Sequence, residues 1–127
     1  TCDTRYTDYA LLEEFLPKLQ AIAAKQYVPD AKTVLKTATE FQSMDEVPGT
    51  AALLKLVQEA AAECNLPQPT AKAVGGGSDS AYATAAGVPT ICALGVQGAR
   101  NHTAEEFAVV DTLFSRCKLF ATIMLNI

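Results

Sequence analysis

The sequence predicts an α/β protein, and three observations carry that expectation. Beyond residue 50, apolar runs with helical and strand-like spacing alternate as helix, strand, helix, strand, helix, the order of a parallel α/β layer. Before residue 50 the order is strand, helix, strand, which fits half of a split β-α-β sandwich. Between the strand Thr70–Val74 and a short helix stand Gly75, Gly76 and Gly77. Glycine weakens strand and helix interiors, so this run belongs where the backbone turns sharply or lies against a ligand.

The elements follow in order. Cys2–Tyr6 alternates and reads as a strand; a strand at the first residue, without Met or leader, points to a piece of a longer protein. From Thr7 or Asp8 a helix is expected to about Lys25. Leu12, Phe15, Leu16, Leu19, Ile22 and Ala23 give it one apolar stripe, which stays in phase past Pro17 despite the kink a proline brings. Val28-Pro29-Asp30 is a turn, and Val34, Leu35, Thr37, Thr39 and Phe41 read as a second strand. A connector at 45–50 separates the two halves, 1–46 and 47–127.

Thr50 can cap the next helix, whose apolar face is Leu53, Leu54, Leu56, Val57, Ala60, Ala61 and Cys64; Pro67 and Pro69 stop it. After the glycine run, Ser78 or Asp79 caps a helix over Ala81–Ala86, which Gly87 ends. Val88–Leu94 is an apolar strand, and Gly95–Thr103 is a polar loop carrying His102, the only histidine. Asp111 caps a last helix with a stripe of Leu113, Phe114, Cys117, Phe120, Ala121 and Met124. Leu119, Ile123, Leu125 and Ile127 widen that stripe, so the helix is buried on several sides or meets a partner.

Composition narrows the function. One core fits in 127 residues, and half the chain is apolar, so it should be globular. A net charge of −4 with scattered basic residues argues against nucleic acid as a partner. No apolar run approaches the roughly 18 residues of a membrane span, so no membrane partner is expected. The four cysteines form no Cys-x-x-Cys pair. Cys64, Cys92 and Cys117 read as small buried hydrophobes, which suits a reducing compartment and a cytoplasmic location.

Spacing eliminates several chemistries. The dinucleotide fingerprint lacks its last glycine at Ser80, no Gly-Lys-Ser/Thr marks a P-loop, and Gly76-Gly77-Ser78-Asp79-Ser80 lacks the final glycine of a hydrolase elbow. A glycine run before a helix is also what an ordinary turn looks like, and a lone histidine is commonly a surface residue. Both, however, sit in Gly-rich polar loops flanked by apolar segments, where α/β proteins place their chemistry. Histidine and carboxylates suit zinc or similar ions, but one histidine cannot build a two-metal site.

Gly75-Gly76-Gly77-Ser78-Asp79, Ala86-Gly87-Val88-Pro89-Thr90, Leu94-Gly95, Asn101-His102-Thr103-x-x-Glu106 and Asp111-Thr112-Leu113 together resemble the C-terminal end of the M20 family of metallopeptidases. These are the di-zinc aminoacylases, carboxypeptidases and tripeptidases. Asp3-Thr4-Arg5-Tyr6 with its helix and strand is similar to the second half of that family's lid, or dimerisation, domain. The resemblance covers nearly the whole chain and implies a zinc-peptidase-like α/β sheet layer over 47–127, preceded by half of an α+β lid over 1–46.

The resemblance also implies roles. His102 matches a metal ligand of a two-zinc centre. Gly76, Gly77, Ser78 and Asp79 match the wall of the substrate pocket. Arg100 is suited by charge to a substrate carboxylate, and Glu106 to a place behind the histidine. The family's His-x-Asp motif, Glu-Glu pair, bridging Asp and first half of the lid are absent. No catalytic residue is therefore assigned within the chain, tight zinc binding is not expected of it, and the isolated chain is expected to be inactive. The implied full-length enzyme cleaves peptides or N-acyl amino acids, with a homodimer or other self-association. The competing expectation is a stand-alone module that binds a small anion or self-associates.

Overall fold

A computed structural model describes all residues, 1–127. Four helices and one two-stranded sheet follow in the order α1 (Tyr9–Ala23), α2 (Thr50–Glu63), α3 (Ser80–Ala85), β1 (Gly98–Ala99), β2 (Phe107–Ala108) and α4 (Val110–Leu125). They belong to two compact units, one of Thr1–Glu46 with Ala73–Val88, the other of Val47–Lys72 with Pro89–Ile127.

In the first unit, Asp8 is the N-cap of α1 and accepts a hydrogen bond from the Ala10 amide at 2.8 Å. The helix runs on through Pro17. Leu12 is buried and Leu16, Leu19 and Ala23 are half-buried, while Phe15 and Ile22 of the expected stripe are exposed. The short helix α3 buries Ala81 and Thr84. It ends as expected at Gly87, whose φ of +80° suits glycine, with the Gly87 amide on Thr84 O and the Val88 amide on Ala83 O.

The second unit holds a clear apolar core. Val57, Ala60 and Ala61 of α2 meet Leu119 and Ile123 of α4, and Leu56, Leu66, Ile91 and Leu94 pack around them. The small Ala60 and Ala61 let the α4 backbone approach closely. Polar pairs flank the seam: Cys64 Sγ lies 3.3 Å from Thr122 Oγ1, and Asn126 Nδ2 donates to Glu63 Oε1 at 3.1 Å. Asn65, at φ +55°, closes α2 with the Asn65 and Leu66 amides on Ala62 O and Ala61 O.

Several expectations are corrected. The segments 2–6, 32–41, 70–74 and 88–94 form no strand pairing; the only ladder is antiparallel, Gly98 opposite Ala108 and Ala99 opposite Phe107. β-Propensity reflects fit to a pleated, half-buried surface, and residues 31–41 are exposed throughout. In 88–94 the apolar residues serve another purpose: Ile91 and Leu94 cover the helix pair, and Ala93 at φ +62° breaks the extended run.

Capping differs too. Gly49 rather than Thr50 is the N-cap of α2, with Thr50 Oγ1 accepting instead from the Val47 amide; Val109 is the N-cap of α4, with Asp111 inside its first turn. The buried side of α4 is Leu119 and Ile123, while Leu113, Phe114, Cys117, Phe120, Ala121 and Met124 face outward. Because α4 carries apolar residues on its outward side as well as on its buried one, beside Asp111, Arg116 and Lys118, its periodicity does not single out the buried face. The four cysteines form no disulfide, and only Cys64 is buried; Cys92 and Cys117 are exposed.

Candidate functional site

The residues singled out in the sequence form two groups, one in each unit. In the first, Gly75, Gly76 and Gly77 connect an exposed segment to α3. None of the three has a left-handed φ, so their backbone conformation is open to other residues. Their spacing from protein atoms differs. A side chain at Gly75 would lie 3.3 Å from Arg5 Nη1, one at Gly77 would lie 3.6 Å from the Phe41 ring, and one at Gly76 would meet nothing within 4 Å. The face of Gly76 is open.

Ser78 turns the chain into α3. Its hydroxyl accepts from the Ser80 amide at 3.2 Å and its carbonyl from the Ala81 amide at 3.0 Å. Asp79 occupies the cap position without a side-chain bond to the helix, and its carboxylate is exposed. Beside the loop, an open apolar hollow of about 480 Å³ is lined by Arg5, Tyr6, Leu11, Phe15, Val74 and Gly75, among others.

In the second unit, β1 and β2 hold a hairpin whose connection carries Arg100, His102 and Glu106. The strands approach so closely that a Cβ at Gly98 would lie 2.3 Å from Phe107 O, so only glycine fits there. Arg100 and His102 both have positive φ, 61° and 65°, a conformation that costs a non-glycine residue roughly 1–2 kcal/mol. Thr103 holds this bend: its hydroxyl donates to Arg100 O at 2.8 Å and accepts from the Glu105 amide at 3.3 Å. The Glu106 amide returns to Thr103 O at 3.2 Å. The Gln97 amide donates to Thr112 Oγ1 at 3.0 Å, tying the hairpin to the first turn of α4.

The side chains of Arg100, His102 and Glu106 are exposed, and no hydrogen bond or ion pair joins them. The sequence reading missed the supporting residues: Thr103 under the histidine bend, and Arg5, Tyr6 and Phe41 around the glycine loop. Thr103 was legible in the local spacing, since a threonine three residues after Arg100 can bond back to its carbonyl. The other three lie far from the loop in sequence and carried no such signal.

A family model described as Peptidase family M20/M25/M40 matches residues 14–126, and the chain belongs to that family. Membership makes it part of a family of metal-dependent hydrolases acting on peptides. No curated protein and no solved structure matches the chain. No helix is long and apolar enough to cross a membrane.

The family implies a metal, and the donor set of this chain does not by itself accommodate one. No three His, Cys, Asp or Glu side chains come together as a cage. Metal-dependent hydrolysis needs three or more such ligands with an open position. No chemical step through a metal is therefore derived from these residues.

Proposed function

We propose that this chain is the C-terminal part of a metal-dependent enzyme that cleaves peptide or N-acyl amide bonds, contributing His102 as one ligand of a two-zinc centre. Gly76, Gly77, Ser78 and Asp79 form a wall of the substrate pocket, Arg100 meets a substrate carboxylate, and Glu106 supports the histidine. The remaining ligands and the general base come from residues outside this sequence, so the 127 residues alone do not turn over. Residues 1–46 serve as half of a lid and 47–127 as part of the catalytic layer, in a cytoplasmic enzyme.

The observation that carries this reading is the family match, whose span includes both the glycine loop and the histidine hairpin. The open face of Gly76 agrees with it, since a residue without a side chain there leaves room for a ligand to approach the backbone. We infer self-association as well, from the outward large apolar residues of α4, among them Phe114 and Met124. A stable monomer by light scattering at high concentration contradicts that part.

The test is hydrolysis of N-acyl amino acids and dipeptides by the complete gene product. Turnover should vanish on chelation and return with zinc. His102→Ala should lower kcat/KM by more than the roughly 10–100-fold that loss of an outer partner of a metal ligand costs. Undiminished hydrolysis in His102→Ala overturns the assignment.

A further inference from the structure

Three consecutive glycines carry the largest conformational entropy of any tripeptide, so a loop built from them holds a defined shape only if something outside it fixes the backbone. Here both ends are fixed. Arg5 Nη1 donates to Gly75 O at 3.0 Å, and the Phe41 ring lies against the side of Gly77. Phe41 is itself held. The Tyr6 hydroxyl donates to the Phe41 backbone carbonyl, and the Tyr9 hydroxyl donates to Glu40 Oε1 at 2.8 Å. The two tyrosine rings meet edge to face, with centroids 6.3 Å apart at 71°.

Two phenols, Tyr6 ahead of α1 and Tyr9 at its first residue, thus grip consecutive residues at the end of a segment that no strand ladder holds. Phe41 remains 49% exposed, so core burial does not account for its place. What it touches is the glycine loop.

We propose that Tyr6 and Phe41 are positioning residues for the substrate-facing loop Gly75–Ser78, an inference that rests on the substrate-binding role proposed for that loop. The ring of Phe41 is the platform under Gly77, and the Tyr6 hydroxyl sets where that platform stands. Prefixing the loop in this way removes an ordering cost that would otherwise fall on each binding event. Arg5 shares the task at Gly75, but its guanidinium also pairs with Asp3 at 3.2 Å and borders the apolar hollow, so changing it would disturb more than the loop.

The test compares the complete gene product with its Tyr6→Phe, Phe41→Leu and Phe41→Tyr variants by backbone NMR relaxation and by titration with N-acetyl-L-alanine. In Tyr6→Phe and Phe41→Leu, the amide order parameters of Gly75–Gly77 should fall from about 0.85 towards 0.6 or below while α1, α2 and α4 keep theirs. The Gly77 α-protons should lose their ring-current shift, and the probe should bind about five- to tenfold more weakly. Phe41→Tyr, which keeps the ring, should restore all three readouts. A loop equally ordered and equally able to bind the probe in every variant overturns the proposal alone, as does a loss of order spread through α1 and α3. Wild-type loop amides that ignore the probe overturn the substrate-binding role and the proposal with it.

Discussion

The two units of this chain are stabilised in different ways. In Val47–Lys72 with Pro89–Ile127, two helices bury Val57, Ala60, Ala61, Leu119 and Ile123 against each other. In Thr1–Glu46 with Ala73–Val88, the buried residues are few, Leu12, Ala81 and Thr84, and much of the order comes from side chains bonded to distant backbone, as at Arg5 and Tyr6. Apolar burial is roughly proportional to area and tolerates small shifts, whereas exposed hydrogen bonds are worth about 1 kcal/mol each and depend on geometry. The helix-pair unit is therefore suited to bear load, and the glycine-loop unit to be adjusted.

That contrast is sharpest at α4. Leu119→Ala removes a fully buried side chain and should cost about 3 kcal/mol, read from the urea midpoint. Phe114→Ala, at 71% exposure, should change stability by no more than about 0.5 kcal/mol in the monomer. Equal costs would mean that α4 buries the other face.

The glycines of the two units separate next. Gly98→Ala drives a methyl group to 2.3 Å from Phe107 O and should destabilise the second unit by about 2 kcal/mol, as overpacking does. Gly76→Ala meets no protein atom and should leave stability within about 0.5 kcal/mol, while weakening binding of N-acyl amino acids. A Gly76→Ala protein that unfolds easily, or binds undiminished, removes the case for an open ligand face.

The smallest effect lies in pH. Burial, with the Glu40 carboxylate and Tyr82, pushes the Tyr6 phenol above its ordinary value. The hydrogen bond to Glu40 leads the same shift at Tyr9. A raised folded-state pKa means that the folded chain holds the proton more tightly than the unfolded one. The stabilisation is thus complete below about pH 10 and lost as pH rises through the folded-state value. Phenolate absorbance should show these two rings titrating late, and the signals of Gly75–Gly77 should broaden in step; loop signals indifferent to that titration would detach the tyrosines from the loop.

Legibility in the sequence followed the same division. The helices and the α2 face were readable, because a 3.6-residue stripe is a local property and Val57, Ala60, Ala61 and Cys64 obey it. Asp8 and Gly87 were readable as helix ends for the same reason. The extended segments were not, since pairing depends on a partner backbone that spacing alone does not reveal, and Ile91 and Leu94 are apolar for packing on helices rather than for a ladder. At α4, an excess of apolar residues hid the buried side. The glycine run and the lone histidine stood out by composition, but their supports at Phe41 and Tyr6 depend on contacts between residues more than thirty positions apart.

The imidazole signals of His102, identified in the complete gene product by their disappearance in His102→Gln, give the most direct measurement of the central claim. Zinc is returned stepwise to the metal-free gene product while those signals and the hydrolysis of an N-acyl amino acid are followed together. A metal ligand predicts that the imidazole signals shift in proportion to recovered activity and stop shifting when it saturates. Full recovery of activity with the His102 signals unmoved would contradict it.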